Sequence, residues 1–475
     1  MSLPEILVVL GAVALVLVRW LPERVRRPVA VGAVAVVVLS AAGATVAGPL
    51  RWQLAPVLVA AALVAPFAVA PLLPGRAGRP PRRVRRWLAL PGSAACLLLI
   101  AVGPLAAWAF PAPAFPQPSG RFAVGTTVLE WTDGQRPETA TADPADRRTV
   151  VVQLWYPARP SKGAPRAPYL GRTEQEAEIV ADGLASYAGL PGFLLDGLPR
   201  ARTRSVHDAA AADCAGRFPV VLFSPGLGGV RSQNTAWAEE LASHGYVVAG
   251  LDHPYDSAAV LLADGRVVRT AVTATGDRAE DEQHAVRWTE VRAADLAFVR
   301  SQLDRMQRGE IPGPLTGRLD TARVAVTGHS LGGAAALMAA RQDAGFAAVV
   351  DLDGAPHDPA PTPFHQPVLA LTQAIGPQTD PDYLPHLTRV LALSTATTYR
   401  LTVPGAAHLT FTDAPLYLPS VPSLVGSADR SDVPGPTAAA CLAFLDHTLR
   451  GTPGDPAAAL TAYGELTVHH AGGGA

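Results

Sequence analysis

Four apolar runs crowd into the first 110 residues, at 3–18, 29–47, 54–73 and 87–110. Roughly 20 apolar residues of helix cross the hydrocarbon of a bilayer, where every backbone polar group must be satisfied inside the helix. The last three runs approach that length, and the first reaches it if Arg19 snorkels to the interface. Residues 1–110 are therefore expected to form an all-α membrane domain of about four transmembrane helices. A cleaved signal peptide is not expected, because the N-terminus lacks a basic region, carries Glu5 and leads into further spans.

Charge divides along the same line. Residues 1–110 hold eleven arginines against Glu5 and Glu23, leaving 28 of the 39 basic and 38 of the 40 acidic residues to the rest. Arg19, Arg24, Arg26 and Arg27 follow the first run, six arginines from Arg76 to Arg86 follow the third, and the second loop has only Arg51. The positive-inside tendency puts loops one and three in the cytoplasm, so residues beyond Phe110 are expected outside, on an integral protein of the cell membrane. Arginine clusters wedged between apolar spans argue for topology rather than nucleic-acid contact. The stretch PAPAFPQPSG, 111–120, reads as a stiff Pro-rich linker.

Beyond the linker, VAVTGHSLGGAAALMAA at 324–340 carries the chemistry. A short buried strand over 323–327 enters a corner with Gly328 and Gly332 flanking Ser330, and a helix over 331–341 leaves it. In G-x-S-x-G the serine sits on a strained strand-to-helix turn that lifts its Oγ from the sheet, and only small residues let the strand and helix pack so closely. A serine hydroxyl is a weak nucleophile without a base, and the base needs an orienting acid. In this architecture acid and then histidine follow, each just past a strand. FAAVVDLDGAPH offers Asp351 and Asp353, of which Asp353 lies nearer the strand's C-terminal edge. TTYRLTVPGAAHLTF offers His408 after a strand and a Pro-Gly turn, whereas His357 and His365 sit in a Pro-rich loop, His447 in a helical pattern, and His469 and His470 in a Gly-rich tail.

An oxyanion needs two backbone N–H donors. Leu331, directly after the serine at the positive end of its helix, supplies one. The other is expected from Leu227, in the Gly-rich loop 224–229 of a βαβ unit with strands at 218–223 and 246–251 and a helix at 232–244. Neither G-x-G-x-x-G nor a Gly-Lys-Ser/Thr signature follows, which argues against a phosphate cradle.

These stretches, FPVVLFSPGLGGVRS, LASHGYVVAGLDHPYDSA, RVAVTGHSLGGAAA, VVDLDG and VPGAAHLTFTD, in this order, together resemble the platelet-activating factor acetylhydrolases of the plasma and intracellular type II kind. FAVGTTVLEW and VVVQLWYPA are similar to the opening strands of that catalytic domain, so the resemblance spans about 120–450. It implies an α/β-hydrolase fold over 121–452, a mostly parallel sheet flanked by helices, with Ser330 as nucleophile, Asp353 as acid, His408 as base, and the Leu227 and Leu331 N–H groups as oxyanion hole. Where the family has His before Gly-Leu-Gly, this chain has Pro225, which keeps the backbone donor. Polyester hydrolases and cutinase-like enzymes share parts of the pattern, but their acid lies farther beyond the serine. The expected function is a membrane-anchored serine hydrolase of lipid or other apolar short-chain esters, working through an acyl-enzyme. A lipase, polyester hydrolase or acyltransferase of the same fold is the alternative within enzymes, and a membrane sensor or scaffold with a vestigial domain the alternative outside them.

The stretch 170–205, acidic and then rich in Leu and Tyr on a Gly- and Pro-broken frame, is a candidate lid or acyl pocket, or a cover for the sheet edge. Cys214 and Cys441 either pair in an oxidising compartment or leave Cys441 as a small buried residue on a helix over 437–449. No C-x-x-C or H-E-x-x-H signature appears, so no metal and no other cofactor is assigned. Residues 453–475 read as a C-terminal tail.

Overall fold

Long apolar stretches that alternate with Gly-rich turns dictate a sheet buried on both faces, and a computed structural model of the chain shows one. It describes residues 1–48, 50–69, 89–161, 163–214, 216–272, 275–376, 379–427 and 429–470. The arginines of the third N-terminal loop, from Arg76 to Arg86, lie outside the described residues. Two compact units result, Met1–Pro111 and Ala112–Ala475.

The first unit holds α1 (Leu3–Leu17), α2 (Glu23–Ala47), α3 (Ala55–Val69) and α4 (Leu90–Ala109). With their flanking turns they give four helical stretches among the described residues, of 18 to 24 residues each, long and apolar enough to cross a membrane. Close approach falls at small residues: a Cβ at Gly11 would come within 2.7 Å of Val37, and one at Gly103 within 2.5 Å of Val57. Leu39, Phe67 and Leu98 point outward and stay exposed, as they would against lipid tails.

The second unit runs β1 (Ala123–Pro137), β2 (Arg147–Ala158), β3 (Arg166–Pro168), α5 (Glu174–Tyr187), β4 (Arg202–His207), β5 (Phe218–Ser224), α6 (Thr235–Ser243), β6 (Val247–Asp252), β7 (Ala259–Leu261), β8 (Val267–Arg269) and α7 (Arg278–Gln307). It continues through β9 (Leu319–His329), α8 (Leu331–Gln342), β10 (Ala348–Leu352), β11 (Val368–Thr372), α9 (Tyr383–Leu391), β12 (Thr398–Thr402), α10 (Pro422–Val425), α11 (Gly435–Arg450), α12 (Pro456–Leu460) and β13 (Glu465–His469). Eleven strands form one sheet in the order β13-β12-β11-β10-β9-β5-β6-β2-β1-β4-β3. The six from β12 to β6 are mutually parallel, and antiparallel strands follow on both sides.

Alternation along the strands feeds two cores. Val220 and Leu222 of β5 join α7 and α8 on one face, while Val221 and Phe223 join α6 and α11 on the other. Each buried Val, Leu or Phe contributes about 1.5–3 kcal/mol by leaving water. The neighbours β5 and β9 hand their chains to helices on opposite faces, α6 and α8, which opens a crevice beyond their C-terminal ends. The α/β-hydrolase expectation is met in the sheet, its helices and this switch point.

One expectation changes. Residues 453–475 are not simply a tail, because α12 and β13 continue the fold: β13 pairs antiparallel with β12, and Leu466 and Val468 pack on the core. Five residues of edge strand before a Gly-rich end give too short a pattern to read. All three cysteines are free, with Cys441 buried on α11 and Cys214 partly exposed.

Candidate active site

Ser330 stands between β9 and α8 at φ 56° and ψ −125°, a conformation that strains a residue with a Cβ. Its surroundings enforce the corner. The Ser330 N–H donates to the Leu352 carbonyl at 3.0 Å, and the Ser330 carbonyl accepts from the N–H groups of Gly333 and Ala334. A Cβ at Gly328 would lie 2.2 Å from Gly332, and one at Gly332 would lie 2.0 Å from the Ser224 carbonyl, so both flanking glycines are required by contact.

His408 begins a short 3-10 turn after β12, and its Nδ1 lies 2.7 Å from Asp353 Oδ2. The other oxygen of Asp353 accepts from the Gln373 N–H at 2.8 Å and from the Tyr383 hydroxyl at 3.1 Å. Asp351, the second candidate acid, points elsewhere: its Oδ1 accepts from the Gly354 N–H at 2.9 Å, beneath the serine corner, and its Oδ2 is buried with no partner among the described residues. Burial, with the nearby Asp353 charge, pushes the Asp351 carboxyl well above the usual range. Of the two aspartates, the structure brings Asp353 to His408.

Ser330, Asp353, His408, Leu227 and Leu331 all line one cleft of about 740 Å3. Neither the Leu227 nor the Leu331 N–H donates to any group among the described residues, so two main-chain donors remain open in the crevice. The cleft's walls come from the first turns of α7, with Asp281, Ala285 and Trp288, and from the chain around Tyr383 and His386. No residue of 170–205 lines it. That segment is tied down elsewhere, through the buried Glu176 to Arg231 at 2.7 Å and through Gly183 packed on Ala259. It does reach the 224–229 loop from outside the cleft, where the Tyr187 ring covers Gly228.

Several neighbours join the five residues singled out from the sequence. His329 lies against His408 with ring centroids 4.5 Å apart and planes tilted by 40°, its Nε2 is 3.0 Å from the His408 carbonyl, and its Nδ1 is 3.0 Å from Gln233 Nε2. Burial, helped by the neighbouring His408, holds His329 well below the usual histidine range, so it stays neutral. Gln233 reaches back to accept the Gly226 N–H at 3.2 Å, which ties the 224–229 loop to His408 through His329. His329 is visible as the variable position of G-x-S-x-G, whereas Gln233 and Tyr383 come together only through the fold. Among the described residues no group of three His, Cys, Asp or Glu side chains is placed to hold a metal ion.

Comparison with known proteins points the same way. Residues 108–450 match the family model of platelet-activating factor acetylhydrolase, isoform II. A probable 1-alkyl-2-acetylglycerophosphocholine esterase of Arthroderma benhamiae is 29% identical over 248 residues, half of this chain and 58% of the relative. The platelet-activating factor acetylhydrolase of Cavia porcellus is 31% identical over 156 residues, 29% of this chain and 35% of that protein. The chain thus spans about half the length, or less, of these two relatives. Among solved structures, a ferulic acid esterase from Streptomyces cinnamoneus superposes with a TM-score of 0.61 at 30% identity, covering 75% of this chain and 99% of that one. With the family model extending over nearly the whole second unit, the chain belongs to the platelet-activating factor acetylhydrolase family, isoform II, of the α/β-hydrolase superfamily.

Proposed function

We propose that the second unit is a serine hydrolase of carboxylic esters, acting on lipid or other apolar short-chain esters and held at a membrane by the first. The observation that carries this reading is the shared cleft, in which a strained serine, a carboxylate-bound histidine and two open N–H donors meet. With Nδ1–H donating to Asp353, His408 keeps Nε2 free to take the proton of Ser330 as Oγ attacks the ester carbonyl. The tetrahedral oxyanion rests on the N–H groups of Leu227 and Leu331. Collapse breaks the bond to the alcohol, which leaves with the proton from His408, and an acyl group remains on Ser330. Water, deprotonated by His408, attacks that acyl-enzyme and releases the acid, restoring the serine.

A fluorophosphonate probe should label the full chain, and Ser330→Ala should abolish both labelling and turnover by about 10³-fold or more. Labelling that survives in Ser330→Ala would move the nucleophile elsewhere, and an unlabelled wild type would favour the scaffold reading. The solved neighbour is named for an aromatic acid, and Trp288 and Tyr383 line the cleft, which together favour an arylacyl ester as the second reading. Turnover of acetyl, butyryl, octanoyl and feruloyl esters of one alcohol separates the two.

A further inference from the structure

Behind the oxyanion loop, on the side away from the cleft, lies a buried polar network that the proposed reaction does not use. Ser224 Oγ is 2.9 Å from His253 Nε2, and His253 Nδ1 is 2.8 Å from Asp295 Oδ2. This row has the composition of a second triad, yet all three side chains are fully buried, so no ester can reach it. Asp295 is also paired with Arg148 at 2.7 Å. Burial alone would raise its carboxyl, but the Arg148 charge and the His253 hydrogen bond outweigh that and hold it well below the usual range. The row is thus a fixed polar support beside the loop that begins at Ser224.

Arg292 of α7 turns that support onto the loop itself. Its guanidinium is fully buried, and all five of its N–H donors have acceptors. Nε and Nη2 reach the two carboxylate oxygens of Asp256, each at 2.6 Å. Nη2 also donates to the Gly226 carbonyl at 3.0 Å, and Nη1 to the Pro225 carbonyl and, at 3.4 Å, to Ser224 Oγ. A trans peptide is planar, with its C=O and N–H pointing opposite ways. Holding the Gly226 carbonyl toward Arg292 therefore turns the next N–H, that of Leu227, toward the cleft. The Gly226 carbonyl also accepts the Gly229 N–H at 2.9 Å, but that turn lies within the loop and can move with it, and Pro-Gly-Leu-Gly-Gly offers little side-chain resistance to a peptide flip; Arg292 is the donor that ties this carbonyl to the helix α7. A flip would replace the donor with a carbonyl oxygen facing the oxyanion.

We propose that Arg292 is a positioning residue for ester hydrolysis, fixing the Pro225–Gly226–Leu227 peptides so that the Leu227 N–H meets the oxyanion. This rests on the serine-hydrolase reading above. Lysine cannot replace the fork, because a single ammonium has three donors and no fixed plane.

The test uses the full chain in detergent, with Arg292→Lys and Arg292→Met and a water-soluble acetyl ester. Functional sites are counted by fluorophosphonate labelling run to completion, and affinity is measured for a trifluoromethyl ketone that forms a tetrahedral adduct with the serine. Losing one oxyanion donor typically costs about 10²–10³ in kcat, so a misaligned one should cost about tenfold to a hundredfold per labelled site. KM should change little, and affinity for the ketone should fall in step with kcat. A merely structural role would reduce the number of labelled sites and leave kcat per site and ketone affinity unchanged, and that outcome overturns the proposal. Should both variants fail to fold, Asp256→Asn, which keeps the guanidinium but loosens its anchor, must show the same paired loss, and wild-type values there overturn it equally. Activity retained in Ser330→Ala would instead move the nucleophile away from this oxyanion loop, and an unlabelled, inactive wild type would overturn the hydrolase reading itself.

Discussion

Asp353 and His408, 55 positions apart in the chain, meet at 2.7 Å with opposite exposures: the carboxylate side chain is 0% exposed and the imidazole 41%. The buried partner is immobilised by Gln373 and Tyr383, while the exposed one faces the cleft. In such a pair the acid fixes the ring's tautomer and direction. Asp353→Asn should therefore lower kcat by about 10⁴-fold with the fold intact, as an acid-to-amide change does in a serine triad. Steady-state kinetics on the purified variant checks this, and a loss under tenfold would remove Asp353 from the acid role.

Asp351→Asn should behave differently. Among the described residues Asp351 accepts one side-chain hydrogen bond, from the Gly354 N–H, and none from His408, so kcat should stay within about tenfold of wild type. Its pH signature is more telling. A carboxyl whose folded pKa is raised above its unfolded value of about 3.9 binds more protons folded than unfolded, so its contribution weakens as pH rises from about 4 through the folded pKa. Asparagine has no such titration. The melting temperature of Asp351→Asn relative to wild type should thus improve as pH rises from about 4, and a flat difference across the pH range would show that the folded carboxyl is not raised.

The serine corner stores strain that a variant can release. At φ 56° and ψ −125° a non-glycine residue costs of order 1–3 kcal/mol. Ser330→Gly and Ser330→Ala should both be inactive, but the glycine variant should be the more stable by about 1 kcal/mol after its larger unfolded-state entropy is counted. Thermal melting of the two proteins side by side gives the comparison. A lower melting temperature for Ser330→Gly would mean the corner is not strained.

These residues also mark how far the sequence could be read. Ser330 and the loop before Leu227 are legible because their glycines are local requirements, set by contacts within one or two turns. Asp353 and His408 follow from the order of strands, since each lies just past a parallel strand's C-terminal end. The cleft walls are different. Trp288 and Tyr383 approach the site only because α7 and α9 fold over it, and no short-range pattern encodes that. The insertion 170–205 reads from composition equally as a lid, an acyl pocket or a cover for the sheet edge, and what fastens it, the buried Glu176–Arg231 pair, joins residues 55 positions apart that no local pattern links. Arg292 did carry a signal. It sits with Thr289, Leu296 and Val299 on the buried stripe of α7, where an arginine calls for a specific partner.

The last expected outcome concerns orientation. Four arginines follow the first helix and six more lie between the third and fourth apolar runs, against Arg51 alone between the second and third. Positive loops are retained in the cytoplasm, so α4 should run outward and deliver the second unit to the extracytoplasmic side. The inference does not depend on α1. If that helix lay on the surface rather than across the bilayer, the N-terminus would change sides, but the six arginines before α4 would still hold its start inside. Protease added to intact spheroplasts should therefore degrade the chain beyond Phe110 and spare the helices. Complete protection until lysis would invert the topology and place the ester substrate in the cytoplasm.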